Sequence, residues 1–142
     1  MKSRTALPLP ILLSIVIAMS VSGCATKAER EGHGVSVTQF QDMVVPTGLQ
    51  LQDAAHESYS REEVGWRDGH FVYAGSETLE HALGYVRQHM PRHSWQIVKD
   101  EAIADGVHLR FERGVYSADY TFTRRDGATQ MVVVYNTDYS RR

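Results

Sequence analysis

The chain has 142 residues, a formal net charge of −2, 42% hydrophobic residues and one cysteine. That length leaves room for one compact domain once a leader is set aside. A lone cysteine excludes an intramolecular disulfide and any zinc site built on several thiolates. Arg87, Arg92, Lys99 and Arg110 are scattered rather than gathered into a basic stripe, so nucleic acid is not expected as a partner.

The chain opens with basic Lys2 and Arg4, continues with an apolar stretch from Leu7 to Val21, and places small Ser22 and Gly23 directly before Cys24. This three-part layout predicts an export signal. The apolar stretch holds 15 residues and contains Pro8 and Pro10. A membrane-spanning helix needs about 20 apolar residues and accommodates proline poorly, which makes a permanent span the weaker reading.

Val21-Ser22-Gly23-Cys24 resembles the lipobox of bacterial lipoproteins. The resemblance implies that the signal peptidase recognises Val21, Ser22 and Gly23 and removes residues 1–23. It implies further that the Cys24 thiol receives a diacylglyceryl group and the freed amine an acyl chain such as palmitate. An ordinary secretory leader that ends near a buried or free thiol is the alternative, and it leaves the position of the sole cysteine to chance. Each buried methylene contributes roughly 0.8 kcal/mol and stable anchoring needs two chains, so three acyl chains suffice. Ala25 stands where an Asp, in the resembling enteric lipoproteins, marks retention in the inner membrane. The expected location is therefore the inner leaflet of the outer membrane, facing the periplasm. Cleavage removes Lys2 and Arg4 and no acidic residue, moving the formal charge from −2 to −4.

Residues 24–41 are expected to be the lipidated cysteine and a flexible tether, because their isolated Val and Phe offer too little apolar surface to offset the entropy of ordering. A single domain is expected over residues 42–138, with a tail at 139–142. Its first apolar cluster is Met43-Val44-Val45-Pro46, followed by Leu49 and Leu51. Residues 58–75 predict a hairpin with its turn at Arg67-Asp68-Gly69 and a second arm through His70-Phe71-Val72-Tyr73. Ser76 is the expected helix cap, with Glu77 and Glu80 near the positive end of the dipole. Leu79, Ala82, Leu83, Val86 and Met90 then recur at the spacing of one buried helix face, and Pro91 ends the helix.

Beyond the helix the period changes from 3.6 to 2. Trp95 to Val98 reads as a strand and Asp105-Gly106 as a turn. Val107, Leu109 and Phe111 alternate with His108, Arg110 and Glu112. Gly114 interrupts, Tyr116, Ala118, Tyr120 and Phe122 alternate with polar residues, Arg125-Asp126-Gly127 turns the chain, and Met131 to Tyr135 forms the last strand. The expected class is α+β: an antiparallel β-sheet meander packed on one amphipathic helix, in the order β(β)αββββ. The other sheet face would carry His108, Arg110, Glu112, Asp119 and Thr121 toward water or a partner.

Val45-Pro46, Tyr73-Ala74-Gly75, Met90-Pro91, Trp95 and Leu109-Arg110-Phe111 together resemble a family of small bacterial envelope lipoproteins over residues 44–135. Each mark is also explicable as packing. A looser likeness of plan links the domain to the accessory lipoproteins of outer-membrane β-barrel assembly, an analogy of fold that does not fix function.

Candidates for catalysis are thin. His89 and His93 have the i, i+4 spacing of a zinc pair, but Pro91 between them should end the helix and separate the rings. His33, His56, His70, His81 and His108 are dispersed. Glu62-Glu63 and Asp100-Glu101 are adjacent carboxylates, which in strands point to opposite faces and do not pair as acid and base. No nucleophile elbow or phosphate loop occurs. Tyr116, Tyr120, Tyr135 and Tyr139 would be a strip of half-buried packing or of exposed rings. The sequence therefore predicts no catalytic residue, metal or cofactor. It predicts a membrane-anchored, non-enzymatic interaction or accessory module that binds the bilayer through acylated Cys24 and another envelope protein or the cell wall through its sheet face or edge. The alternative is a binding domain for a small hydrophobic or glycan ligand held between helix and sheet, under Leu83, Val86 and Phe111.

Overall fold

The computed structural model describes residues 39–52 and 57–141. Cys24 and the expected leader, with Val21, Ser22 and Gly23, lie outside the described residues, as does most of the expected tether.

The described chain is an antiparallel sheet with one α-helix, in the α+β class expected. Its strands are β1 (Leu49–Leu51), β2 (Tyr59–Glu63), β3 (Trp66–Gly75), β4 (Gln96–Ile103), β5 (Gly106–Arg113), β6 (Tyr116–Arg125) and β7 (Ala128–Thr137); helix α1 (Leu79–His89) separates β3 from β4. The order across the sheet is β1-β3-β7-β6-β5-β4, and β2 pairs with β3 on the same side as β1. Strands β4 to β7 form the expected meander, and β7 closes against β3. The helix thus carries the chain from one side of the sheet, over its face, to the far edge. Among the described residues no helix is long and apolar enough to cross a membrane.

The alternation in β5, β6 and β7 puts Leu109 and Phe111, Tyr120 and Phe122, and Met131 and Val133 on the face under the helix, all fully buried. Ala82, Leu83, Val86 and Met90 meet them from α1 and the short 3-10 turn after it, as the stripe predicts, with Leu79 at the margin. Burying that interleaved surface is the main force holding helix to sheet. The Tyr120 hydroxyl stays inside this core by donating to Met90 Sδ at 3.4 Å and accepting the Val44 amide at 3.3 Å. Its pKa is driven well up, chiefly by burial.

Three local expectations are corrected. Arg67-Asp68-Gly69 lies inside β3, and the hairpin turns at Val64-Gly65, where Gly65 has φ +77. Gly69 serves space instead: a Cβ there would come within 2.6 Å of the Phe71 ring. The helix cap is Thr78, whose hydroxyl accepts the His81 amide at 3.2 Å, two residues later than Ser76. The strand expected at Trp95 to Val98 begins at Gln96 and runs on to Ile103, while Trp95 precedes it, buried. A short strand not expected from sequence, β1, pairs Leu49 with Gly75 and Leu51 with Tyr73.

Packing already includes Phe40, whose ring meets Tyr135 at 4.7 Å and Phe71 at 5.6 Å. At the other end, Tyr139–Arg141 forms a 3-10 turn that lies on the domain through Arg141 and Glu112.

Candidate functional site

Three places gather chemistry. The first is the end of the sheet where the N-terminal segment joins the core. Asp42 follows buried Phe40 there, and groups from four strand ends converge on it. Arg113 donates to Oδ2, the Tyr135 hydroxyl donates to Oδ2 at 3.2 Å, and Arg67 donates to Oδ1 at 3.5 Å. Trp95 donates its indole N–H to the Asp42 carbonyl at 2.9 Å. The guanidiniums lie over aromatic faces: Arg113 over Trp95 at 4.8 Å, and Arg67 over Phe40 at 5.5 Å. Such stacking lets a planar cation sit against an apolar wall while keeping its in-plane donors available.

Phe40, Asp42, Arg67 and Arg113 line a cleft of about 400 Å³ together with Gln39, Gln41 and Glu62, the last bonded to Arg67 at 2.8 Å. Burial and then the Asp42 charge push the Tyr135 hydroxyl up to about 12. Burial works against the charge on Arg67, but its bonds to Tyr135 and Glu62 and the nearby Asp42 outweigh that and raise its pKa. At neutral pH the cleft thus holds two cations whose charge Asp42 and Glu62 largely answer. It pins the N-terminal segment to the sheet.

The second place is the sheet face away from the helix. The His108 ring meets Asp119 at 3.0 Å and Glu101 at 3.4 Å, and Arg110 bonds Asp119 at 2.8 Å and Glu112 at 3.1 Å. Arg141 adds a second cation to Glu112, and Lys99 bonds Glu101 at 2.7 Å. Bonds from Arg141 and then Arg110 hold the Glu112 carboxyl below its ordinary value; Lys99, then His108, do the same for Glu101. The polar residues expected on this face are there, cross-linked into a ladder of alternating charge. Both His108 nitrogens face carboxylates, which leaves no ring nitrogen free to act as a base on a third group.

The third is the free edge. β4 ends the sheet, and all eight of its residues are exposed, including Ile97, Val98 and Ile103. Its pairing with β5 shifts register between Ile97 and Lys99, leaving Val98 in a bulge. Asp100 turns to the helix side, where Arg87 grips it bidentately at 2.7 and 2.8 Å, while Glu101 turns to the ladder. The adjacent carboxylates therefore face apart, as the strand period predicts.

No family model, curated protein or solved structure matches this chain.

The structure keeps His89 and His93 apart in role. His89 donates to the Tyr85 carbonyl at 2.8 Å and stacks on that ring at 4.0 Å, whereas His93, beyond Pro91, gives its carbonyl to Arg113. Among the described residues no three His, Cys, Asp or Glu side chains are grouped to hold a metal. Tyr120 and Tyr135 are buried and Tyr116 partly so, while Tyr139 is exposed; they do not make an open aromatic strip. Sequence reasoning missed Asp42 as a hub. The one available signal was an acid set between buried-type residues, Phe40 before it and Met43-Val44 after it.

Proposed function

We propose that this chain is a lipid-anchored lipoprotein of the bacterial envelope, held to the outer membrane through acylated Cys24, whose domain is a non-enzymatic interaction module working through the β4 edge. The observation that carries the docking role is β4 itself: eight exposed residues whose outer backbone edge pairs with no strand among the described residues, bearing exposed Ile97, Val98 and Ile103. Unsatisfied N–H and C=O groups along such an edge accept an added strand, and neighbouring side chains choose which strand. The anchor reading rests on the leader, the lipobox-like Val21-Ser22-Gly23-Cys24 and the position of the only cysteine. A bilayer-bound module meets its partner at a raised effective concentration, so a small docking edge suffices.

The test is photo-cross-linking in cells. A photoreactive residue at Val98, in the exposed bulge, should give discrete protein adducts, while the same probe at Glu80 on the exposed side of α1 should not. Identical patterns from both positions, or no adduct at Val98, would refute docking through β4.

A second reading, ligand binding, draws on the cleft at Asp42, Arg67 and Arg113 rather than on the space between helix and sheet. Leu83, Val86 and Phe111 are packed into the core there. The polar lining of the cleft suits a glycan or another hydrogen-bonding ligand better than a hydrophobic one. Saturable chemical-shift changes at the Gln39 and Gln41 side-chain amides, which line the cleft, on titration with envelope glycans would support it.

A further inference from the structure

We infer that the strand received by β4 is β4 of a second copy of this chain, paired antiparallel about a two-fold axis through Asp100. This deepens the docking reading above and rests on it.

The geometry restricts the choice. A two-fold axis normal to a sheet keeps each face on the same side, so a residue can face only residues that already share its face. On β4, Lys99 and Glu101 share the ladder face, opposite Arg110 and His108 of β5, while Asp100 is on the helix face, opposite Leu109. An axis through Lys99 sets lysine against lysine, and one through Glu101 sets glutamate against glutamate. An axis through Asp100 sets Lys99 against Glu101 of the other copy, twice. Beyond them the Val98 bulge shifts the register by one, so that exposed Ile97 and Ala102, which share the helix face opposite Phe111 and Val107, lie across from each other. The one like pair, Asp100 with Asp100, is already answered, because each carboxylate is held bidentately by Arg87 of its own copy.

The same features turn away other strands. A bulge and central charges blunt an edge against indiscriminate pairing. Lys99 and Glu101 already bond each other within one copy at 2.7 Å, and a strand that sets a like charge opposite either one meets repulsion. Edge pairing over eight residues covers less area than most stable soluble dimers need. Anchoring both copies in one membrane plane supplies the missing local concentration.

The test uses the full chain in its own membranes. Facing Cα atoms of an antiparallel pair lie about 4.5–5.5 Å apart, within disulfide reach, so Asp100→Cys should form a disulfide-linked dimer under mild oxidation. Gln96→Cys should not, and the parent chain sets the background from Cys24. Adding Lys99→Glu or Glu101→Lys to Asp100→Cys puts like charges in both cross-strand pairs and should cut the dimer by about tenfold. Co-expressing those two charge variants, or combining both changes in one chain, should restore it. Equal cross-linking at Gln96 and Asp100, no dimer at Asp100, or charge reversals without effect would overturn self-pairing. If self-pairing fails while the Val98 probe still captures another envelope protein, docking through β4 stands with a different partner. If that probe captures nothing, both readings fall.

Discussion

The Trp95 indole N–H and the Asp42 main-chain carbonyl meet at 2.9 Å, so one side chain both closes the core before β4 and fastens the segment that enters the domain. Trp95→Phe keeps an aromatic ring and leaves that carbonyl without its donor. The expected loss is about 1–3 kcal/mol, read as a lower urea midpoint at unchanged slope. Trp95→Ala should cost about 3–5 kcal/mol through the cavity it opens. A Trp95→Phe midpoint equal to the parent's would show that the bond does not hold the segment.

Asp42→Asn keeps the shape and removes the charge that Arg67 and Arg113 share. With Asp42 largely buried, the expected destabilisation is about 1–3 kcal/mol. The Tyr135 hydroxyl, raised by burial and then by Asp42, should also ionise more easily in the variant, below its value of about 12. Following the Tyr135 ζ-carbon by NMR through an alkaline titration checks the direction. An unmoved or higher pKa would mean the carboxylate does not act on that hydroxyl.

Gly106 opens β5 beside Thr123, and a Cβ there would fall 1.8 Å from the Phe122 carbonyl oxygen. No side-chain rotation relieves a clash with main chain, so Gly106→Ala must part β5 from β6. We expect a loss of at least about 2 kcal/mol and faster amide exchange in β5 near Gly106. Exchange unchanged from the parent would contradict the close approach.

The ladder on the open face makes stability fall in acid. Arg141 and Arg110 hold the folded Glu112 carboxyl below its ordinary 4.5, so the unfolded chain takes up the proton first. This contribution is fully present above that ordinary value and is lost as pH falls through the lower folded one. Glu101, held by Lys99 and His108, adds in the same sense. Glu112→Gln should lower the melting temperature at pH 7 and flatten its decline below about pH 4.5. A decline parallel to the parent's would remove Glu112 from the cause.

The parts of the fold legible in sequence were those written in local periods. The stripe from Leu79 to Met90 and the alternation through β5, β6 and β7 each expose one apolar face within a single element, and all of them lie where expected. The misplaced turn came from reading Gly69 as conformational freedom, when its lack of a side chain makes room for Phe71. The cap moved to Thr78 because Ser76 and Thr78 offer the same chemistry and only the path of the chain chooses between them. The Asp42 hub was not legible, since its partner Arg113 lies 71 residues away and only the folded sheet brings them together. The freedom of β4 was equally hidden, because Gln96 to Ile103 does not say which strands will lie beside it.

An acylated, membrane-held chain has a defined mass, and intact-mass spectrometry of the protein extracted from membranes measures it directly. Lipid anchoring predicts a polypeptide beginning at Cys24 and heavier than residues 24–142 by a diacylglyceryl group and an amide-linked acyl chain. A bare thiol at Cys24, or a terminus still at Met1, would contradict it.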